Sequence, residues 1–134
     1  MAKRILVALL GAAVAVDLAS RRPHRALILV SPFSSFPDVA QSHYPFLPAR
    51  WLVHNRFDSL GKIGNCTAPL LIVHGTRDST APFAQAEKLF AAAGNPKRLV
   101  PVEGADHSDS VMAGFFPIVR QFLLDTASVD CDNE

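Results

Sequence analysis

Cysteine is scarce in this chain, with only Cys66 and Cys131 among 134 residues. Two thiols cannot build a multi-bridge scaffold, and their spacing matches no zinc or iron–sulfur ligand set, so no structural metal or cofactor is expected. An excess of one charge is also missing. Thirteen Lys and Arg against twelve Asp and Glu leave a formal charge of +1, which gives nucleic acid or an anionic bilayer no electrostatic footprint to meet. Nor is there a membrane-spanning run. The apolar stretch from Ile5 to Val16 falls short of the about twenty residues a bilayer core requires, so stable membrane insertion is not expected. No internal repeat or low-complexity tract occurs. What remains is 49% hydrophobic and 19% charged, enough for one modest folded domain.

The N-terminus admits two readings. Lys3 and Arg4 followed by the apolar run copy the first regions of a secretory leader. Alternatively the run is a buried helix packed against a sheet and stopped near residues 20–23 (SRRP), where the arginine pair suits a helix C-terminus. The second reading places the protein in the cytoplasm. Under the first it is exported without residues 1–20, and Cys66 is free to pair with Cys131.

Three short apolar runs follow: residues 25–33 (RALILVSPF), 69–76 (PLLIVHGT) and 97–104 (KRLVPVEG). Continuous apolar runs of this length suit strands buried on both faces, as in a parallel sheet, and Pro101 favours an edge position for the third. Between the second and third, residues 82–94 place Phe83, Ala86, Leu89, Phe90 and Ala93 on one helical face, with Pro82 in the first turn and Gly94 at the C′ position. Residues 117–124 carry a second apolar face, and the tail 125–134 reads as frayed and acidic. The expected architecture is α/β: a three-stranded parallel sheet with flanking helices, its strands ordered as in the sequence, within a single domain spanning 1–134. At most a stub of a further strand is expected at residues 4–7. Residues 34–68, broken by Pro37, Pro45 and Pro48, form an excursion in which Phe46, Leu47, Trp51, Leu52 and Phe57 could make a short helix over the sheet edge.

In open parallel sheets the chemistry gathers outside the carboxyl ends of the strands. His74, Arg77 and Asp78 follow the second strand, and Asp106, His107, Ser108 and Asp109 follow the third. An acid and an imidazole thus come to one sheet edge, where a carboxylate on one ring nitrogen frees the other to take a proton from a nucleophile. The plainer alternatives are that Asp78 accepts the amides of its own turn, that His107 is an exposed loop residue, or that Asp106, His107 and Asp109 bind a metal. His74 reads as packed or backbone-bonded, and Ser31 as structural or pocket-lining.

The segments SPFSSFPDV, YPFLPARW, FDSLGKI, PLLIVHGTRDSTAPF and PVEGADHSD resemble the C-terminal half of an α/β-hydrolase, close to the serine aminopeptidase and lipophospholipase-like members, over roughly residues 10–124. The resemblance implies that Asp78 is the catalytic acid and His107 the base, and that Tyr44 to Trp51 lies near the substrate pocket. It places the nucleophilic serine at Leu9 and the first glycine of its elbow at Val7. No G-x-S-x-G occurs anywhere in the chain. The sequence therefore reads as a truncated or degenerate serine hydrolase of the kind that cleaves ester or amide bonds, its acid and base retained and its nucleophile absent, with a small acyl ester or peptide-like compound as substrate if it is active. Two other readings stay open. One is a non-enzymatic module that self-associates through an exposed sheet edge at residues 26–30. The other is an active hydrolase that uses a different serine, such as Ser31, or a partner's nucleophile.

Overall fold

A computed structural model describes residues 5–8, 12–22, 24–32, 36–46, 48, 59–94, 96–106 and 114–131. Four strands, β1 (Ile5–Ala8), β2 (Ala26–Val30), β3 (Leu70–Gly75) and β4 (Lys97–Val102), lie side by side in sequence order. Every pairing is parallel, with Ile5 opposite Ala26, Leu27 opposite Leu70 and Leu70 opposite Lys97. The helices are α1 (Ala12–Arg21), α2 (Phe36–His43), α3 (Phe83–Ala92) and α4 (Phe115–Cys131), and a 3₁₀ turn spans Ile63–Asn65.

All three expected strands form, parallel and in order. The stub at the N-terminus becomes a complete fourth strand whose residues all pair with β2. This corrects the expected open edge: β2 has partners on both sides, so self-association through residues 26–30 has no free backbone to use. The physical reason is that residues 5–8 match β2 in length closely enough to complete its ladder.

The apolar runs are continuous because both faces of the sheet are covered. Leu27, Leu29, Leu70 and Ile72 point to one face and pack with Val16 and Ala19 of α1, Ile63 and Cys66, and Ala86 and Leu89 of α3. Ala26, Ile28, Val30, Leu71 and Val73 point to the other and meet Phe115 and Phe122 of α4. Each residue of β2 and β3 is buried. The edge strand β4 is less buried and is protected chemically: Lys97 lies 4.6 Å over the Phe90 ring, Arg98 lies 5.8 Å from that of Phe122, and Pro101 offers no amide hydrogen.

Two helix ends differ from expectation. Helix α3 stops with Ala93 in an extended conformation, and Gly94 does not take the left-handed conformation of a C′ glycine. Helix α4 begins earlier and runs through 125–131, which the sequence suggested was frayed. No proline or glycine follows Pro117 within it, the Thr126 hydroxyl donates to the carbonyls of Phe122 and Leu123, and the Asp125 carboxylate accepts from Arg98 and Gln121. Of the residues expected to form a helix over the sheet edge, Phe46 lies in an exposed turn after α2, and Leu47, Trp51, Leu52 and Phe57 lie outside the described residues.

On α1, Asp17 binds both Arg21 and Lys62 at 2.9 Å, and the hydrogen bond from Lys62 contributes most to holding its carboxyl below the ordinary range. Cys66 is free, and its buried thiol faces the Val16 carbonyl at 3.8 Å; burial pushes its pKa up. In the folded chain Cys66 should therefore resist alkylation at pH 8 and react only on unfolding, as site-resolved mass spectrometry would read. Ile72→Ala, in the sealed centre of the sheet, should cost about 2–5 kcal/mol by urea denaturation. Val14→Ala, on the exposed side of α1, should stay within about 0.5 kcal/mol of the parent.

Candidate active site

Strands β2, β3 and β4 all point their carboxyl ends to one edge, and the turn after β3 carries the acid. Its backbone folds back sharply, with the Asp78 amide donating to the Gly75 carbonyl at 3.3 Å. The Asp78 side chain is fully buried. Its Oδ1 accepts the amides of Thr80 at 2.9 Å and Ala81 at 2.8 Å, an arrangement that caps the turn leading into α3. The plain reading of Asp78 as a turn-capping carboxylate is thus correct, and it does not compete with the catalytic one. One oxygen is consumed by the turn, which fixes the plane of the group and the direction of Oδ2.

His74 contacts that second oxygen. Its Nε2 lies 2.7 Å from the Ala81 carbonyl and 3.3 Å from Asp78 Oδ2. A carbonyl only accepts, so Nε2 carries the proton and the ring is held in one tautomer. The ring is wholly buried and stands edge-on to Phe83, with centroids 5.8 Å apart. This matches the reading of His74 as packed and backbone-bonded, and adds that it braces the acid.

The next element of the site is a lacing between the turn after β3 and the loop after β4. Thr76 N–H donates to Val102, Arg77 N–H to Ala105, and Gly104 N–H to the Thr76 hydroxyl. Ser79 donates from its amide to Asp106 Oδ1 at 2.9 Å, and its hydroxyl lies 3.1 and 3.2 Å from the two carboxylate oxygens. Ser79 follows Asp78 in sequence and Asp106 precedes His107, so the immediate neighbours of these two residues are bonded to each other. His107 lies outside the described residues, as do Ser108, Asp109 and Leu9.

One contact escaped sequence reasoning. His43, at the end of α2, donates from Nε2 to the Thr80 carbonyl at 3.0 Å and so fastens the excursion to the acid turn. No local pattern marks it, because the contact spans 37 positions. Ser31 takes a positive φ of 52°, unusual for a residue with a side chain, and its buried hydroxyl has no hydrogen-bond partner among the described residues. Its amide donates to Val73, which places it beside the end of β3. A cavity of about 500 Å³ lined by His24, Arg25, Pro69, Lys97 and Arg98 lies at the opposite, amino end of the strands and takes no part in this constellation.

No family profile matches the sequence. Individual proteins do. An uncharacterized protein of Mycobacterium tuberculosis is 43% identical over 121 residues, which are 88% of this chain and 43% of that protein. The human α/β hydrolase domain-containing protein 17B is 32% identical over 120 residues, 85% of this chain and 38% of that one. The chain therefore spans about two-fifths of the length of these curated relatives. Among solved structures, the esterase domain of a Rhodothermus marinus protein superimposes with a TM-score of 0.59 at 26% identity, over 83% of this chain and 54% of that one. Sequence and fold together relate this chain to the α/β-hydrolase superfamily of esterases and lipases, whose fold it carries in part.

Proposed function

We propose that this chain carries the acid–base half of an ester- or amide-cleaving site, with Asp78 orienting His107, and that it does not complete acyl transfer unaided. The observation that carries this reading is the buried Asp78 carboxylate, fixed at the carboxyl end of β3 in a turn bonded to the residue preceding His107. A carboxylate so held fixes the tautomer of an imidazole that reaches it and stabilises the imidazolium formed when a proton is taken. The step before that requires a nucleophile about 3 Å from the imidazole, with donors aimed at the developing oxyanion. Leucine at position 9 supplies neither an oxygen nor a proton, and the chain contains no G-x-S-x-G. The serine aminopeptidase and lipophospholipase-like enzymes remain the finer reading of its kinship, by the motif segments alone, and the cytoplasm is its proposed compartment.

A second reading rests on Ser31. Nucleophilic serines of this fold sit in strained turns at strand ends, and Ser31 has a left-handed backbone at the end of β2. Against it, Ser31 is only 5% exposed, whereas an elbow presents its hydroxyl to the substrate.

A fluorophosphonate probe separates the two readings. The proposal expects no stoichiometric serine adduct and no burst with p-nitrophenyl butyrate. An adduct mapped to the peptide containing Ser31 and lost in His107→Ala would overturn it in favour of the second. The geometry of the acid has its own test. Asp78→Asn retains an oxygen for the amides of Thr80 and Ala81, while Asp78→Ala leaves the buried Ala81 amide and the part-buried Thr80 amide unmet and should cost about 1–3 kcal/mol more. Hydrogen exchange at Thr80 and Ala81 should accelerate in the alanine variant and stay near the parent in the asparagine one.

A further inference from the structure

Strand β3 is apolar from Leu70 to Val73 and then places a wholly buried histidine, His74, ahead of its final glycine. A buried imidazole N–H costs free energy unless an acceptor meets it, so packing alone would favour a leucine or phenylalanine at this position. The acceptors are specific. Nε2 donates to the Ala81 carbonyl at 2.7 Å and lies 3.3 Å from Asp78 Oδ2. The Ala81 amide in turn donates to Asp78 Oδ1 at 2.8 Å. Residue 81 is thus tied to the strand through its oxygen and to the acid through its nitrogen, and the three residues close a ring that joins both carboxylate oxygens to one histidine. The ring is anchored at its strand end, since His74 stands opposite Pro101 in the ladder between β3 and β4.

We propose that His74 is a positioning residue for the acid–base pair, its Nε2 proton holding Ala81 and Asp78 in the arrangement in which Oδ2 meets His107. This rests on the reading of Asp78 and His107 as acid and base, and adds to it the group that sets the acid's aim. A carboxylate oxygen accepts from two directions, and His74 stands on one side of Oδ2, so the imidazole of the base has the other. The terminal torsion of an aspartate is soft, and the two turn amides share a single oxygen, so the aim of Oδ2 depends on residue 81 staying where His74 pins it. The edge-on contact with Phe83, centroids 5.8 Å apart, sets the orientation of the histidine ring itself. A residue that only fills the core needs the volume of that ring; one that positions the acid needs its proton.

The base reports on the acid, because a carboxylate aimed at an imidazole raises its pKa. The readout is the pH titration of the His107 ring Cε1–H by proton–carbon NMR on the full chain, with His107→Ala identifying its signal among the five histidines. Asp78→Asn should lower that pKa by about one pH unit. His74→Phe keeps an aromatic ring against Phe83 and removes the proton, and should lower it by at least about half as much. His74→Gln restores a side-chain N–H and should stay within about 0.2 pH units of the parent. An unchanged pKa in His74→Phe beside a lowered one in Asp78→Asn overturns the proposal and leaves the acid–base reading standing. An equal fall in the phenylalanine and glutamine variants assigns His74 to packing and overturns it too. An unchanged pKa in Asp78→Asn removes the acid–base reading and the proposal with it. The parent chain gives a check that does not depend on any variant folding: long-range proton–nitrogen spectra should show His74 protonated at Nε2, and a ring protonated at Nδ1 alone overturns the proposal.

Discussion

The strand Leu70–Gly75 must satisfy its backbone on two edges and its side chains on two faces at once, and the remaining elements are arranged around that demand. Its ladder is completed by β2 and β4, and its alternate residues are sealed by α3 on one side and α4 on the other. A strand buried in this way has no tolerance for a one-residue slip, because every side chain would change faces and the cores would exchange contents. The position of its last residues is therefore fixed, and with it the start of the turn that carries Asp78. The turn at the carboxyl end inherits its precision from hydrophobic packing at the middle.

The acid itself is an economical arrangement. One carboxylate oxygen terminates a turn and the other faces a buried imidazole, so the group is oriented by local contacts. The adjoining loops are joined by main-chain and hydroxyl bonds that require no long flexible side chain. Such contacts lose little conformational entropy on forming, in contrast to ion pairs between extended side chains.

The fold was more legible than the site, for identifiable reasons. Leu70 to Val73 and Ala26 to Val30 announce themselves because a strand covered on both faces must be apolar throughout. Residues 5–8 were ambiguous because the same composition continues into α1, and only pairing with β2 separates strand from helix. The end of α3 was misread at Gly94 because Ala93 leaves the helix without a left-handed residue. The length of α4 was underestimated because charged and small residues after Leu124 look frayed, although Arg98 of a neighbouring strand anchors Asp125. Asp78 stands out in the sequence by its place after a strand and by a family resemblance. The bracing by His74, the lacing through Asp106 and the clasp from His43 join residues by tertiary contacts or by turn geometry that no periodicity records.

The sequential order of the strands has a kinetic meaning. Each of these four strands is laid beside the one before it in sequence, so none of them must be inserted between two already paired. The steps are unequal. Ile5 meets Ala26 and Leu70 meets Lys97 across modest separations, whereas Leu27 meets Leu70 only after the whole excursion has been made. That closure carries the largest entropic cost of the three and divides the sheet into two locally closed β–α–β hooks joined by one long-range pairing.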